Sequence, residues 1–459
     1  MVGLKLGIEY LWVDALCILQ DDADDKSVEI ANMPNIHRNS TLTIAPASAS
    51  AVTQGLLAER AYPGNAPAFL LPYRGRAGDG NDSQQVLGNI FLSSAIKETE
   101  EPLHTRGWTL QERLLSPRTL EFGTHQTRWI RQQLKPGPCD GWREQAEYSN
   151  SRQDRLDLRV LQVNFDSLLE YQEGSTSSSG RFVPGSDEYA QGVDNWSDLV
   201  GMYLRRNLTQ PTDRILAISG IAARYGSILK DQYVCGMWLG TLRSALGWNS
   251  KSTFGPQAVQ RPSAASYQGL TWSWTSVNTA VYFAPGSMLA LSCDPSAPQE
   301  GQGPQLIGFN LKLKNRAHAY GAVEEGCSLQ LRGLLLPVIS IDFKERQATV
   351  KSMGGRGALH RCQLELDGRD LPGGRDLAQP RGVDDIFLIA LDRVDNFRQW
   401  ECSGLALKMD STGHLHRIGT FIFKTGRRSR NSDETDEDWI QRVEKDYDLF
   451  RLCLRGISP

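Results

Sequence analysis

Tyr10-Leu11-Trp12-Val13-Asp14-Ala15-Leu16-Cys17-Ile18-Leu19-Gln20-Asp21-Asp22 is an apolar run with one carboxylate set inside it. Residues 8–20 read as a β-strand buried on both faces, the pattern of a parallel sheet. Asp21, Asp22, Asp24 and Asp25 then form an acidic turn that can cap a helix. Residues 26–38 carry Val28, Ala31, Met33 and Ile36 at helical spacing, with Pro34 placed to kink or end the helix. Residues 41–45 read as a second strand, and strand–helix–strand order predicts a right-handed crossover in a parallel sheet. Further out, residues 61–89 look like a long Gly- and Pro-rich loop, with short strands at 69–71 and 90–92. A helix over 106–115 stops before Pro117, and strands at 119–122 and 126–130 turn at Gly123.

Residues 136–195 read as a flexible connector, with Pro136-Gly137-Pro138 and a Ser/Thr-rich tract at 174–180. Helical patterns follow at 196–206, 213–224 and 233–248. From about residue 280 the texture is strands between Gly- and Pro-rich gaps, which predicts an antiparallel sandwich or barrel. A helix at 436–455 closes the chain. The expected divisions are therefore 1–135, 136–195, 196–275 and 276–459.

The chain has 459 residues and a formal net charge of −3, with no basic stripe, which argues against phosphate-driven nucleic-acid binding. No apolar run reaches the ~20 residues of a membrane helix. Residues 11–19 lack the flanks of a signal peptide. The eight cysteines are scattered, with no C-x-x-C pair, so neither a disulfide framework nor a zinc site is expected. A reducing, cytoplasmic compartment fits that usage. His360 with Cys362, and His414 with His416, read as structural, and no metal is expected.

The second informative stretch is Arg106-Gly107-Trp108-Thr109-Leu110-Gln111-Glu112-Arg113-Leu114. On a helix Trp108 and Glu112 share a face. Arg106, Trp108, Gln111 and Glu112 together suit a planar, polar ligand. Asp14 inside an apolar strand costs several kcal/mol unless it is paired or exposed. Either it forms an ion pair, with Arg106 or Arg113, or it lies at the carboxyl edge of the sheet where α/β folds bind ligands. Gln20 and Gln111 either fix loops or contact ligand. Arg106 suits a phosphate or a salt bridge. Cys17 reads as a buried structural thiol, and the Trp272-Ser273-Trp274 trio as packing.

Together the two stretches resemble the fungal heterokaryon-incompatibility (HET) domain, in which a Trp-x-Asp-x-x-Cys-Ile-x-Gln block precedes an Arg-x-Trp-x-x-Gln-Glu block. Residues 203–220, 233–238 and 271–275 resemble the segments that follow that core. The resemblance implies an α/β fold with a TIR-like parallel sheet, incomplete at its N-terminus because a Ser-Tyr-x-Trp-Gly-like block is absent. A helical segment and a β-rich region follow it. It implies a protein of vegetative incompatibility, acting in non-self recognition and programmed cell death. TIR domains that cleave NAD carry a Trp four residues before the catalytic Glu. The likeness implies Glu112 as catalytic carboxylate with Asp14 beside it, and Arg106, Trp108, Gln111 and Gln20 as ligand contacts. NAD is then a substrate, with no resident cofactor. The alternative is a non-catalytic signalling module or a decayed paralogue, working through a protein partner or self-association of the HET domain.

Overall fold

The structure is a computed structural model that describes residues 5–57, 69–77, 84–92, 101–124, 127–131, 186–249, 269–277, 281–283, 304–316, 318–333, 335–342, 346–351, 359–367, 385–396 and 399–424. The expected strand at 8–20 is not formed. Residues 8–13 are irregular, and the chain turns into a single-turn helix, α1 (Asp14–Cys17). The cause is the carboxylate within the run. Instead of entering a sheet interior, Asp14 stays exposed and accepts the Ala15 N–H at 2.7 Å. The cost is apolar exposure, with Tyr10 at 89% and Leu16 at 82%. Without that strand, the anticipated βαβ crossover falls as well.

Helix α2 (Ala23–Asn39) continues past Pro34, which does not end it. It leads into β1 (Thr43–Ala45). The region read as a long loop instead forms an antiparallel hairpin, β2 (Phe69–Ala77) with β3 (Gln84–Leu92), and the expected short strands are its ends. A 3-10 turn (Pro102–Thr105) precedes α3 (Thr109–Leu115), so Arg106 and Gly107 lie outside the helix and Trp108 is its N-cap. β4 (Arg118–Phe122) pairs parallel with β1 and antiparallel with β5 (Thr127–Arg131). The observed sheet is thus a short mixed one, in the order β1-β4-β5.

The helical layer is α4 (Asp187–Tyr203) and α5 (Leu216–Leu229). α4 begins inside the stretch read as connector. Its N-cap is Ser186, whose hydroxyl accepts the Tyr189 N–H. Residues 233–248 are not one helix. Tyr233–Val234 and Met237–Trp238 form a tight ladder (β6, β7), followed by a single turn, α6 (Leu242–Ala245). The apolar spacing there reflects burial on all sides. Trp196 and Trp274 both donate their indole N–H to the Gly236 carbonyl, at 3.1 and 2.9 Å. The 272–274 trio therefore is core packing and not a strand: Trp274 opens a 3-10 turn (Trp274–Ser276) that Ser273 caps.

The β-rich expectation holds. β8 (Gln305–Asn310) and β9 (Ser328–Arg332) pair alone. β10 (Leu336–Asp342), β11 (Gln347–Lys351), β12 (Leu359–Leu366), β13 (Ile386–Asn396), β14 (Gln399–Met409) and β15 (Leu415–Lys424) close an antiparallel barrel in the order β10-β11-β12-β15-β14-β13. Its interior holds Val338, Ala348, Cys362, Leu364, Leu388 and Phe421. Other barrel residues, Ile389, Leu391, Leu405 and Leu407, join the core of the helical layer. The expected helix at 436–455 and most of the connector lie outside the described residues.

Candidate functional site

The site is built where α1, α2, α3 and the end of α4 converge. Gly107 permits the approach. Its N–H donates to the Asn207 carbonyl at 2.7 Å, and a Cβ there would sit 2.5 Å from Leu208 Cδ2. The Asn207 N–H in turn donates to the Thr105 carbonyl at 2.6 Å. This short ladder fixes the start of α3 against residues a hundred positions away. The buried Arg206 reinforces it, donating Nη1 to the Arg106 carbonyl at 3.2 Å and to Thr109 Oγ1 at 3.1 Å.

Glu112, one turn into α3, is only partly accessible. Burial raises its pKa to about 7. The Arg106 charge acts against that rise, Asp14 adds to it and Arg206 opposes it. Three charged groups, Arg106 and Asp14 expected from sequence and Arg206 found beside them, therefore act on Glu112. A carboxylate divided between its two forms near neutrality can serve as a base or as a charge stabiliser.

Trp108 is an anchor. It packs against the main core, and its indole N–H donates to Asp213, a half-buried carboxylate that also feels Lys26. Arg106 is exposed, so its guanidinium is presented outward beside Glu112. Asp14 is exposed and forms neither of the two anticipated ion pairs. Arg113 instead pairs with Glu121 on β4. Gln20 folds back on its own loop, donating Nε2 to the carbonyls of Ile18 (3.0 Å) and Asp14 (3.3 Å). Gln111 points the other way, into the contact of α3 with α2 and α5. It is fully buried, and neither amide atom has a hydrogen-bond partner among the described residues. Glu112 and Gln111 are thus adjacent but face different surroundings. Cys17 is exposed rather than buried, its Sγ accepting the Val13 N–H at 3.5 Å.

Two groups at this place escaped the sequence reading. His37 on α2 is buried, lies edge-on to Trp12 at 5.6 Å between ring centroids, and has no partner for Nε2 among the described residues. Burial lowers its pKa to about 4 against the pull of Asp14, so the imidazole is neutral at pH 7. Arg206 is the other. Its only sequence signal is a basic pair at the end of a helix, which says nothing about a partner a hundred residues upstream. Behind the site, Glu121 is enclosed by Arg113, His104 (2.9 Å) and Arg128 (3.1 Å). Burial would raise its pKa, but hydrogen bonds from His104 and Arg128 and the charges of Arg113 and His104 outweigh it and hold it at about 2. This network ties α3 to β4 and β5.

Among the described residues, no group of three or more His, Cys, Asp or Glu is placed to hold a metal, and no helix is long and apolar enough to cross a membrane. Compared with known proteins, the chain finds no match among curated proteins and none among solved structures. The family model "Heterokaryon incompatibility protein (HET)" matches residues 1–112, ending on Glu112 itself.

Proposed function

We propose that this chain, a HET-domain protein by its residues 1–112, acts in heterokaryon incompatibility by hydrolysing NAD or a related nucleotide at Glu112. The observation that carries the reading is a carboxylate held near neutrality between Arg106 and Asp14, four residues after an anchored Trp108. Loss of NAD would then couple recognition of a genetically different partner to programmed cell death.

The chemistry follows from the groups present. The bond from the nicotinamide nitrogen to ribose C1′ breaks with its electron pair going to the nicotinamide, which leaves as a neutral base. Positive charge develops on C1′ and the ring oxygen. The ionised Glu112 stabilises it, as carboxylates do in glycoside cleavage. A water oxygen then bonds to C1′ and gives up a proton. Arg106, exposed beside Glu112, is the group that suits the pyrophosphate. Trp108 acts through α3, by fixing the helix that carries Glu112, and is a positioning residue. Gln20 holds the loop that carries Asp14. Gln111, facing the helix junction, has the same kind of role.

Because the ionised form does the work, kcat/KM should rise with pH through about 7 and level off above it. The test incubates purified full chain with NAD and follows free nicotinamide. Glu112→Gln should reduce its release by at least a hundredfold, within the ~10²–10⁴ that acid–base groups contribute, while Gln20→Ala leaves measurable turnover. Equal nicotinamide release by wild type and Glu112→Gln would remove Glu112 from the reaction.

A further inference from the structure

Among the described residues, exposed large apolar side chains are densest between Tyr10 and Val28. Tyr10 is 89% exposed, Leu11 79%, Leu16 82%, Leu19 59% and Val28 61%. Four of these side chains, Tyr10, Leu11, Leu16 and Leu19, fall within ten consecutive residues. Leu16 stands on α1, and the Leu19 N–H is tied at 2.9 Å to Asp25 in the first turn of α2. Monomeric proteins rarely leave so many large apolar side chains together in water.

Charge selects what covers these side chains. Residues 5–30 contain seven carboxylates (Glu9, Asp14, Asp21, Asp22, Asp24, Asp25 and Glu29) against Lys5 and Lys26. Glu9, Asp14, Asp21 and Asp22, neighbours of the apolar side chains along the chain, are exposed. A second copy docked face to face would bring these acids onto their own counterparts. An anionic lipid surface would meet the same repulsion. A segment with an apolar stripe flanked by Lys and Arg meets both features at once.

We infer that the face formed by Tyr10, Leu11, Leu16 and Leu19 is a docking surface for a cationic amphipathic helix of a partner protein. Apolar contact supplies affinity, and the surrounding carboxylates set orientation and partner choice.

The test uses the full chain and defined peptides in titration calorimetry: a Leu/Lys amphipathic helix, its Leu/Glu counterpart, and a Leu/Lys sequence scrambled to spread its leucines. The first should bind saturably at one site and the other two at least tenfold more weakly. Leu11→Ser/Leu16→Ser keeps every charge and exposes no core, so its melting temperature should match wild type while the affinity falls at least tenfold. Glu9→Lys/Asp21→Lys should weaken binding as much and flatten its salt dependence. Three results would overturn the inference. One is absence of saturable binding. The second is unchanged affinity in Leu11→Ser/Leu16→Ser, which would reduce the attraction to charge alone. The third is either a dimer in sedimentation or binding to phosphatidylserine vesicles that this variant abolishes. NAD turnover is read separately and is untouched by either variant's result.

Discussion

Glu112 and Glu121 stand on consecutive elements, α3 and β4, and burial acts on both, yet they end on opposite sides of the usual carboxylate range. Glu121 is held by two arginines, Arg113 and Arg128, and by a hydrogen bond with His104, which together overwhelm the burial cost. Glu112 has cations within electrostatic reach but no close ion pair among the described residues, and a second carboxylate works against it. The consequences for stability have opposite signs. Glu121, depressed to about 2, contributes stability that is present above the ordinary value of 4.5 and is lost as pH falls through about 2. Glu112, raised to about 7, binds a proton in the folded state that the unfolded chain releases near 4.5, so stability falls as pH rises between those values. Glu112→Gln removes that penalty. At pH 8 the variant should be more stable than wild type by about 2 kcal/mol, a figure reduced from the full shift because the group is partly exposed. At pH 4.5 the two should unfold together. Melting curves at both values decide it, and a variant less stable at pH 8 would contradict the assignment.

At the scale of elements, the junction of α2, α3 and α5 is the tightest part of the site's support. Pro34, Gly220 and Gln111 meet there: a Cβ added at Gly220 would lie 2.5 Å from Pro34 Cγ and 3.0 Å from Gln111 Oε1. Gly220→Ala should therefore cost about 1–3 kcal/mol, the usual cost of overpacking. Pro34→Ala should restore part of it, which a urea double-mutant cycle would read as coupling between the two positions. These contacts also show what the sequence could reveal. The helix at 26–38, which extends over 23–39 in the structure, the short strand before Pro46, the hairpin around Gly123 and the β-rich second half follow from periodicity and turn residues. Family resemblance brought Glu112, Arg106 and Trp108 together as candidates. No strand forms at 8–20 because hydration of the isolated Asp14 outweighs the apolar content of the run. The 233–248 helix was misread because residues buried on all sides carry no period that separates helix from ladder. Arg206 and His37 reach the site through contacts between distant segments, which no local pattern encodes.

Across the whole molecule, one side chain binds the barrel to the helical layer. Arg417 on β15 is buried. It donates to Asp367 at 2.7 and 3.1 Å and to the carbonyls of Leu246 and Trp248, and its guanidinium lies 3.5 Å from the centre of the Trp248 ring. Arg417→Met removes both guanidinium hydrogen bonds to the buried Asp367 carboxylate, which costs about 3–5 kcal/mol. It also removes the polar link between the layers. Urea unfolding should broaden or split into two steps in this variant, with far-UV dichroism separating helical from strand signal. A single transition of unchanged slope would show that the apolar contacts of Ile389, Leu391, Leu405 and Leu407 suffice for cooperativity.

The placement of Trp196, Trp238, Trp248 and Trp274 in that same core, away from bulk water, makes the protein its own optical gauge. Indoles so enclosed emit toward the blue and resist quenching by iodide. The cation resting on Trp248 makes that ring a sensor for the barrel's attachment. Loosening of the barrel from the helices would register as a change in intrinsic fluorescence before any secondary structure is lost.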